Sequence, residues 1–337
     1  MTLQLSMRPT GWFQAGWSAE FPARTAMPLR YFGDELVAFR TESGELHVLD
    51  AYCRHMGAHL GYESRVEQDC IACPYHGWQW DGDGANRSIP YQDRPSRART
   101  RSWPVVERHG LVYLWHDPDG GPPRADFSIP DVFDDFPALE ATEDDYFPCW
   151  PHGIVDKPDE KIHPQLVLEN SADCAHFRFT HGAAETPQMR EFGSDRRQWW
   201  STIDFISPRT GQSAMQVHVR NYGIGLTAAF FDSRAFRYRL VLAATPIDEE
   251  RSHLRVSYYF ARNGASGEEL PPDTAALAGS VEELFEQDAR IWRHQAFVQK
   301  PVYALSDRAA YSDLRRWCQQ FYEAPARQRA MPVLDAE

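Results

Sequence analysis

Cys53-Arg54-His55, then seventeen residues, then Cys73-Pro74-Tyr75-His76-Gly77-Trp78: the first third of the chain is read from this stretch. Each half offers one thiolate and one imidazole. Each half also runs into a glycine-containing loop, with Gly57 and Gly61 after the first and Gly77 after the second. Two opposed loops of this kind can hold a metal centre between them. Two Cys with two His form a structural zinc set, and the same four side chains can hold a [2Fe–2S] cluster. Three details favour iron–sulfur. The Cys-x-His spacing is tighter than the Cys-x₂₋₄-Cys of zinc fingers, each arm mixes the two ligand types, and an aromatic run (Trp78, Trp80) follows the second arm.

The flanking sequence predicts a small all-β unit. ELVAFRT (35–41), ELHVLDA (45–51), CIACPYHGWQW (70–80) and GLVYLWH (110–116) are apolar, β-branched and aromatic runs. Gly44, Gly82, Gly84 and Gly110 punctuate them. HDPDGGPPRADFSIPDVFDD (116–135) reads as a boundary or surface crossing. Beyond it the pattern changes. A helix is expected over Gln165–Phe177, then strands in QWWSTIDFI (198–206), SAMQVHVRNYG (213–223), FRYRLVLAATP (236–246) and HLRVSYYFAR (253–262), implying an antiparallel sheet. A long helix follows from about Pro272 to Phe297 behind the start signal Pro271-Pro272-Asp273-Thr274.

Length and composition agree with two units. At 337 residues the chain exceeds one comfortable core, and we divide it into 1–125 and 126–337. The formal net charge of −13 argues against nucleic-acid binding, which needs a basic footprint. No run of about 18 apolar residues spans a membrane, and Met1–Gln14 has no signal-peptide pattern. The six cysteines are not spaced as a disulfide framework, which points to a reducing, cytoplasmic setting. Cys70, Cys149, Cys174 and Cys318 read as small buried hydrophobes. Eleven Trp suit either a large apolar cavity or a Trp-heavy core.

A second constellation lies in Glu169-Asn170-Ser-Ala-Asp173-Cys-Ala-His176-Phe-Arg-Phe-Thr-His181-Gly182. On one helix, Asn170, Asp173 and His176 would share a face, and His181 would follow near the helix end. Two His begin a two-His-one-carboxylate iron site. The carboxylate comes from elsewhere. Leu277, Val281, Leu284, Phe285, Asp288, Ile291 and Trp292 form one stripe at helical spacing, and Asp288 is the charge on it. A buried carboxylate needs a partner. A ferrous ion fits, with an edge position or Arg290 as the alternative. Glu282, Glu283 and Glu286 fall off the stripe and read as solvated face.

Together these motifs resemble the oxygenase components of Rieske non-haem iron systems, from Gly11-Trp12-Phe13 through both sites to the C-terminal end. In that family the two Cys bind one iron and the two His the other. The resemblance therefore implies one [2Fe–2S] cluster on Cys53, His55, Cys73 and His76. It implies one mononuclear Fe(II) on His176, His181 and Asp288, Asn170 near that iron, and Asp173 as a bridge to His76 of the next subunit in a homotrimer. It also implies an α+β fold, an all-β Rieske domain followed by a catalytic domain of helix-grip type. The ending DARIWRHQAFVQKPVYALSDRAAYSDLRRWCQQFY (288–322) is similar to 3-ketosteroid 9α-hydroxylases and sterol 7-desaturases. Hydroxylation or desaturation of a steroid-like or other polycyclic substrate with O2 is the expected activity. Gly182-Ala-Ala-Glu-Thr-Pro187 and Arg178 depart from the steroid enzymes and would reshape the pocket mouth.

The chain has no Gly-x-Gly-x-x-Gly in a strand–helix setting. The resemblance implies electrons from NAD(P)H through a flavin/iron–sulfur reductase, with or without a ferredoxin, and without that motif the reductase is expected to be a separate partner. An aromatic-ring dioxygenase and a non-catalytic Rieske electron carrier are the competing readings. Phe205, Met215, Val217, Leu226, Phe230 and Leu242 are candidate pocket residues from the sheet.

Overall fold

The computed structural model describes residues 5–136, 141–233 and 235–322. The N-terminal unit is all strand: β1 (Gly11–Trp17), β2 (Ala26–Tyr31), β3 (Asp34–Arg40), β4 (Leu46–Asp50), β5 (Arg65–Glu67), β6 (Cys70–Ala72), β7 (Gln79–Asp81), β8 (Asn86–Ser88), β9 (Ser102–Trp103), β10 (Val105–Arg108) and β11 (Leu111–His116). They form sheets in the orders β1-β11-β10, β2-β3-β4-β9 and β5-β6-β7-β8. The expected β runs fall on β3, β4, β6 with β7, and β11, the run 70–80 being interrupted by a turn over 73–78.

The C-terminal unit opens with β12 (Ile154–Glu160), α1 (Pro164–Glu169) and α2 (Ala175–Phe179). Five long strands follow the short edge strand β13 (Gln188–Ser194): β14 (Trp199–Ile206), β15 (Ser213–Gly223), β16 (Leu226–Ser233), β17 (Arg237–Pro246) and β18 (Ser252–Phe260). Helices α3 (Pro272–Trp292) and α4 (Arg308–Cys318) close the described chain. One antiparallel sheet runs β12-β18-β17-β16-β15-β14-β13. The fold is α+β, as expected.

Strand alternation gives this sheet two different faces. One face carries Leu226, Ala228, Phe230, Val241 and Ala243, which share a core with Trp12, Trp17, Tyr113 and Trp115 of the N-terminal unit. The two units are therefore packed through a common core. Hydrogen bonds cross the same seam: Thr245 Oγ1 to the Gln14 carbonyl (2.6 Å) and Trp17 Nε1 to Ser257 Oγ (2.9 Å). The other face carries Tyr238, Val256 and Tyr258 against Val281, Phe285, Ala289 and Trp292 of α3.

Several expectations need correction. The helix over Gln165–Phe177 is broken. α1 ends at Glu169, a 3₁₀ turn covers Asn170–Ala172, and Asp173 is extended (φ −102°, ψ 111°). Asp173 Oδ1 accepts the N–H groups of Ala175 (2.8 Å) and His176 (3.1 Å), so the Asp caps α2 instead of continuing α1. α3 stops at Trp292, since Gln295 and Ala296 offer nothing large and apolar to extend the stripe. Leu284 and Ile291 are partly exposed on that helix, while Ala289 is buried. Glu286 is not solvated face. It pairs with Arg293 (2.7 Å) and Lys157 (3.3 Å), and Arg293 also grips Glu160 of β12. Arg290 pairs with Glu283 and Glu286, not with Asp288. The segment 116–135 is more than a surface crossing, because Phe127, Val132 and Phe133 anchor it in the shared core.

His116 is fully buried within the N-terminal unit, among Phe13, Phe32 and Trp103. It stacks on Phe32 with ring centroids 3.9 Å apart, and its Nδ1 donates to the Pro9 carbonyl (2.7 Å). Burial lowers its pKa from 6.5 to about 4. Between those values the unfolded chain binds the proton and the folded one does not, so stability falls as pH drops through this window. The group contributes about 3 kcal/mol to that loss. His116→Gln, which keeps a donor for Pro9 but cannot be charged, should flatten the pH dependence of denaturant midpoints between pH 6.5 and 4.

Candidate functional site

The first centre is built from two copies of one turn. In the loop after β4, Gly57 N–H donates to the Cys53 carbonyl and Cys53 N–H to the Ala58 carbonyl, both at 2.9 Å. Between β6 and β7, Gly77 N–H donates to Cys73 and Cys73 N–H to Trp78, again at 2.9 Å. Both glycines need the left-handed region, at φ +74° and +69°. The thiols of Cys53 and Cys73 are buried and adjacent. Burial pushes the Cys53 thiol up, and the neighbouring Cys73 adds to the rise. His55 and His76 lie nearer the surface, with ring centroids 4.7 Å apart. His55 stacks on Trp78 at 4.4 Å and 5°, and Trp78 Nε1 donates to Tyr91 Oη (2.7 Å).

The donors thus pair thiol with thiol and imidazole with imidazole. His76 Nδ1 is buried with no hydrogen-bond partner among the described residues, as a ligand atom would be. A tetrahedral zinc needs its ligand atoms about 3.3–3.8 Å apart. Among the described residues, only a different group has three or more such donors within 4.8 Å of one another. The geometry suits a two-iron cluster better than a single ion.

That other group is His176, His181 and Asp288. His176 lies on α2, and its Nδ1 donates to the Asp173 carbonyl (2.9 Å). The break at Asp173 frees this carbonyl, leaving Nε2 as the available donor atom. Burial lowers the His176 pKa despite Asp288 and Asp173 nearby, so the ring is neutral and able to bind a cation. His181 sits two residues beyond α2, where the Ala183 N–H closes the helix end on the Phe177 carbonyl (2.9 Å). Its Nδ1 donates to Gln287 Oε1 (3.0 Å), and its Nε2 is 3.3 Å from Asp288 Oδ2. Burial pulls the His181 pKa down, but the hydrogen bond and charge of Asp288, with Gln287, outweigh it and raise the value. The imidazole rings are 5.2 Å apart at 78°.

Asn170 and the two His line a cavity of about 420 Å³. Phe205, Met215, Val217 and Leu242 line it as expected, whereas Leu226 and Phe230 face the other side of the sheet and belong to the shared core. Of the eleven Trp only Trp292 reaches the cavity among the described residues; most of the others build cores. Asp173 Oδ1 lies 3.9 Å from His176 Nδ1. The carboxylate also meets Tyr311 of α4, whose hydroxyl pKa is raised by burial first and then by the Asp173 charge and hydrogen bond. Sequence reasoning missed Gln287 and Tyr311. Gln287 had one signal, its place beside Asp288 on α3. Tyr311 had none, because α4 reaches the site only through the fold.

Solved structures with this fold include dicamba monooxygenase bound to dicamba (TM-score 0.67, 20% identity, covering 94% of this chain and 97% of that one). Another is NdmA of Pseudomonas putida CBB5 with caffeine (TM-score 0.71, 16% identity, 92% and 90%). These likenesses show that the two-unit fold is shared. Residues 11–106 match the Rieske [2Fe-2S] domain, and residues 114–322 match the 3-ketosteroid 9alpha-hydroxylase C-terminal domain. The oxygenase component of 3-ketosteroid-9-alpha-monooxygenase from Rhodococcus rhodochrous is 30% identical, over 95% of this chain and 84% of its own length. Its counterpart from Mycobacterium tuberculosis is 30% identical, over 93% and 81%. Cholesterol 7-desaturase of Xenopus laevis is 30% identical, over 93% and 72%.

The chain belongs to the Rieske monooxygenases of the 3-ketosteroid 9α-hydroxylase branch, as an oxygenase component. It carries a Rieske [2Fe–2S] domain and works with a reductase, O2 and a substrate. Among the described residues, no helix is long and apolar enough to cross a membrane.

The two turns differ in one testable way. A Cβ at Gly57 meets nothing within 4 Å, whereas one at Gly77 falls 2.9 Å from Pro90 Cγ. Asn tolerates the left-handed region. Gly57→Asn should therefore keep the visible absorption of the cluster, at a cost of about 1 kcal/mol, and Gly77→Asn should lose it.

Proposed function

We propose that this chain hydroxylates or desaturates a steroid-like or other polycyclic apolar substrate, using O2 and electrons drawn from NAD(P)H through the reductase. The observation that carries this reading is the cavity. It is lined chiefly by apolar side chains and has the His176–His181–Asp288 group at its wall. The boundary between Rieske and catalytic domains is placed near residues 125 and 126, where the all-strand unit gives way to the segment leading into β12.

On this reading Cys53, His55, Cys73 and His76 hold the [2Fe–2S] cluster, and His176, His181 and Asp288 hold one Fe(II). When bound, the cluster supplies single electrons and the iron supplies O2 activation at open coordination positions. The chain's own groups prepare that site. Gln287 accepts the His181 Nδ1 proton and so fixes the tautomer that turns Nε2 inward. Burial keeps His176 neutral. Phe205, Met215 and Val217 exclude water around the reacting carbon. Asn170 presents an amide to the same space, with no side-chain hydrogen bond among the described residues.

Asp173 is assigned as the bridge to His76 of a neighbouring copy in a homotrimer. Its carboxylate is one-quarter exposed, so another chain can reach it. Exposed apolar residues flank both ends of such a contact: Met56, Tyr75 and Tyr91 near the imidazole pair, and Phe179 beside the second site. A ferredoxin between reductase and cluster is compatible with this half-exposed imidazole edge. We place the protein in the cytoplasm, supported by cysteines that form no disulfide among the described residues.

The deciding experiment is substrate-dependent consumption of O2 and NADH with a surrogate reductase, across steroids, sterols and polycyclic aromatics. A monohydroxylated or desaturated product is expected; a cis-diol would instead make the chain a ring dioxygenase. Iron and sulfide should count to about three and two per chain; a bare electron carrier would show only two irons. Gln287→Leu should weaken iron retention about 10–100-fold against a chelator, leaving the cluster spectrum intact. Asp173→Asn keeps an oxygen for the α2 cap, so both metals should stay while turnover is lost; unchanged electron transfer would remove the bridging role.

A further inference from the structure

The apolar cavity contains few polar side chains, and nearly all of them are already engaged. Ser171 Oγ and Thr227 Oγ1 both donate to Asn221 Oδ1 (3.2 and 2.6 Å). Ser280 Oγ donates to the Ala276 carbonyl (2.9 Å), and Tyr258 Oη to the Val281 carbonyl (3.3 Å). The exception away from the metal-binding group is Tyr238. It lines the cavity and is only 4% exposed, yet its hydroxyl has no hydrogen-bond partner among the described residues. The hydroxyl oxygen is not sealed in by protein and so stands open to whatever fills the cavity.

Its place in the sheet is informative. Tyr238 of β17 is in register with Phe231 of β16, Phe231 with Val217 of β15, and Val217 with Ile203 of β14. This row forms the cavity floor. Three inter-strand steps separate its ends by roughly 14 Å. Above the Ile203 end, Phe177 of α2 packs on Phe205 with ring centroids 5.0 Å apart, beside His176. Tyr238 closes the other end within a wall of Phe231, Phe236 and Tyr258.

We infer that the Tyr238 hydroxyl binds an oxygen atom of the substrate at the end of the cavity remote from α2. Tyr238 is then the specificity-determining residue for an elongated apolar ring system with a ketone or hydroxyl at its far end. The flat rings on either side grip the apolar body, and the one free hydroxyl sets which way round it lies. This inference rests on the proposed reading of the cavity as a polycyclic-substrate site.

The test measures binding as well as turnover. Holoprotein is titrated with a tetracyclic steroid bearing one terminal-ring ketone and with the parent hydrocarbon lacking it, following quenching of Trp fluorescence. Ketones on the first and last rings are compared. Wild type should bind one ketone about five- to tenfold more tightly than the hydrocarbon, the effect of one neutral hydrogen bond. Tyr238→Phe should abolish that preference and raise KM with kcat nearly unchanged, at the same melting temperature and cluster spectrum. Tyr258→Phe, whose hydroxyl is bonded to Val281, should keep the preference. A Tyr238→Phe protein that retains the preference, or a Tyr258→Phe protein that loses it equally, overturns the inference. Ring systems that bind without any ketone preference also overturn it, while leaving the cavity reading in place. Failure of wild type to bind any ring system removes both.

Discussion

Side chains alternate across a β-strand, and in the seven-stranded sheet that constraint decides where everything else goes. Phe230 and Val241 must face one way if Phe231 and Tyr238 face the other. The first face is claimed by Trp12, Trp17 and Trp115, so the N-terminal unit is seated against it. The second is left for α3 and the cavity. A shift of one residue in any of β14–β17 would exchange core for cavity lining. The seam bonds from Thr245 to Gln14 and from Trp17 to Ser257 lie on this framework and lock the two units in one relation.

Ionic contacts then fix the helices that carry the second group. Arg293 at the end of α3 reaches both Glu160 of β12 and Glu286 of α3, tying the helix bearing Asp288 to the edge of the sheet. Arg315 of α4 forks onto buried Glu169 at the end of α1, with Gln165 on the same carboxylate (3.0 Å). Bidentate, mostly buried pairs of this kind position more than they stabilise, because desolvation offsets much of their attraction. Their geometric effect is that α1, α3 and α4 approach the site from fixed directions, with Asp173 between α1 and α2.

Both candidate metal-binding constellations were legible because their chemistry is local: Cys-x-His, Cys-x-x-His, and two His five residues apart. Asp288 was legible as a charge on an apolar stripe. The helix through Asn170 and His176 was misread, because helical spacing ignores the alternative that an Asp offers its own backbone. Asp173 caps the next two amides and stops the helix. The break does more than end the helix, since it also frees the carbonyl that orients His176. Leu226 and Phe230 were misassigned for another reason: composition identifies an apolar strand, but only registration against the N-terminal unit says which face is filled. Gln287, Tyr311 and Tyr238 carry no pattern at all. Their significance is a matter of which partner is near or missing in three dimensions.

The paired turns at Cys53 and Cys73 have a consequence for assembly of the protein. Each is closed by bonds spanning four or five residues, so each half can form before any metal arrives. What neither half can supply is the junction between them, across about twenty residues of chain. A cluster seated on both cysteines would cross-link residues 53 and 73 much as a disulfide would, restricting the unfolded chain by about 3 kcal/mol on a chain-entropy view. Such a cluster would also be a staple, and iron supply would then set how much folded protein a cell keeps as well as how much active enzyme.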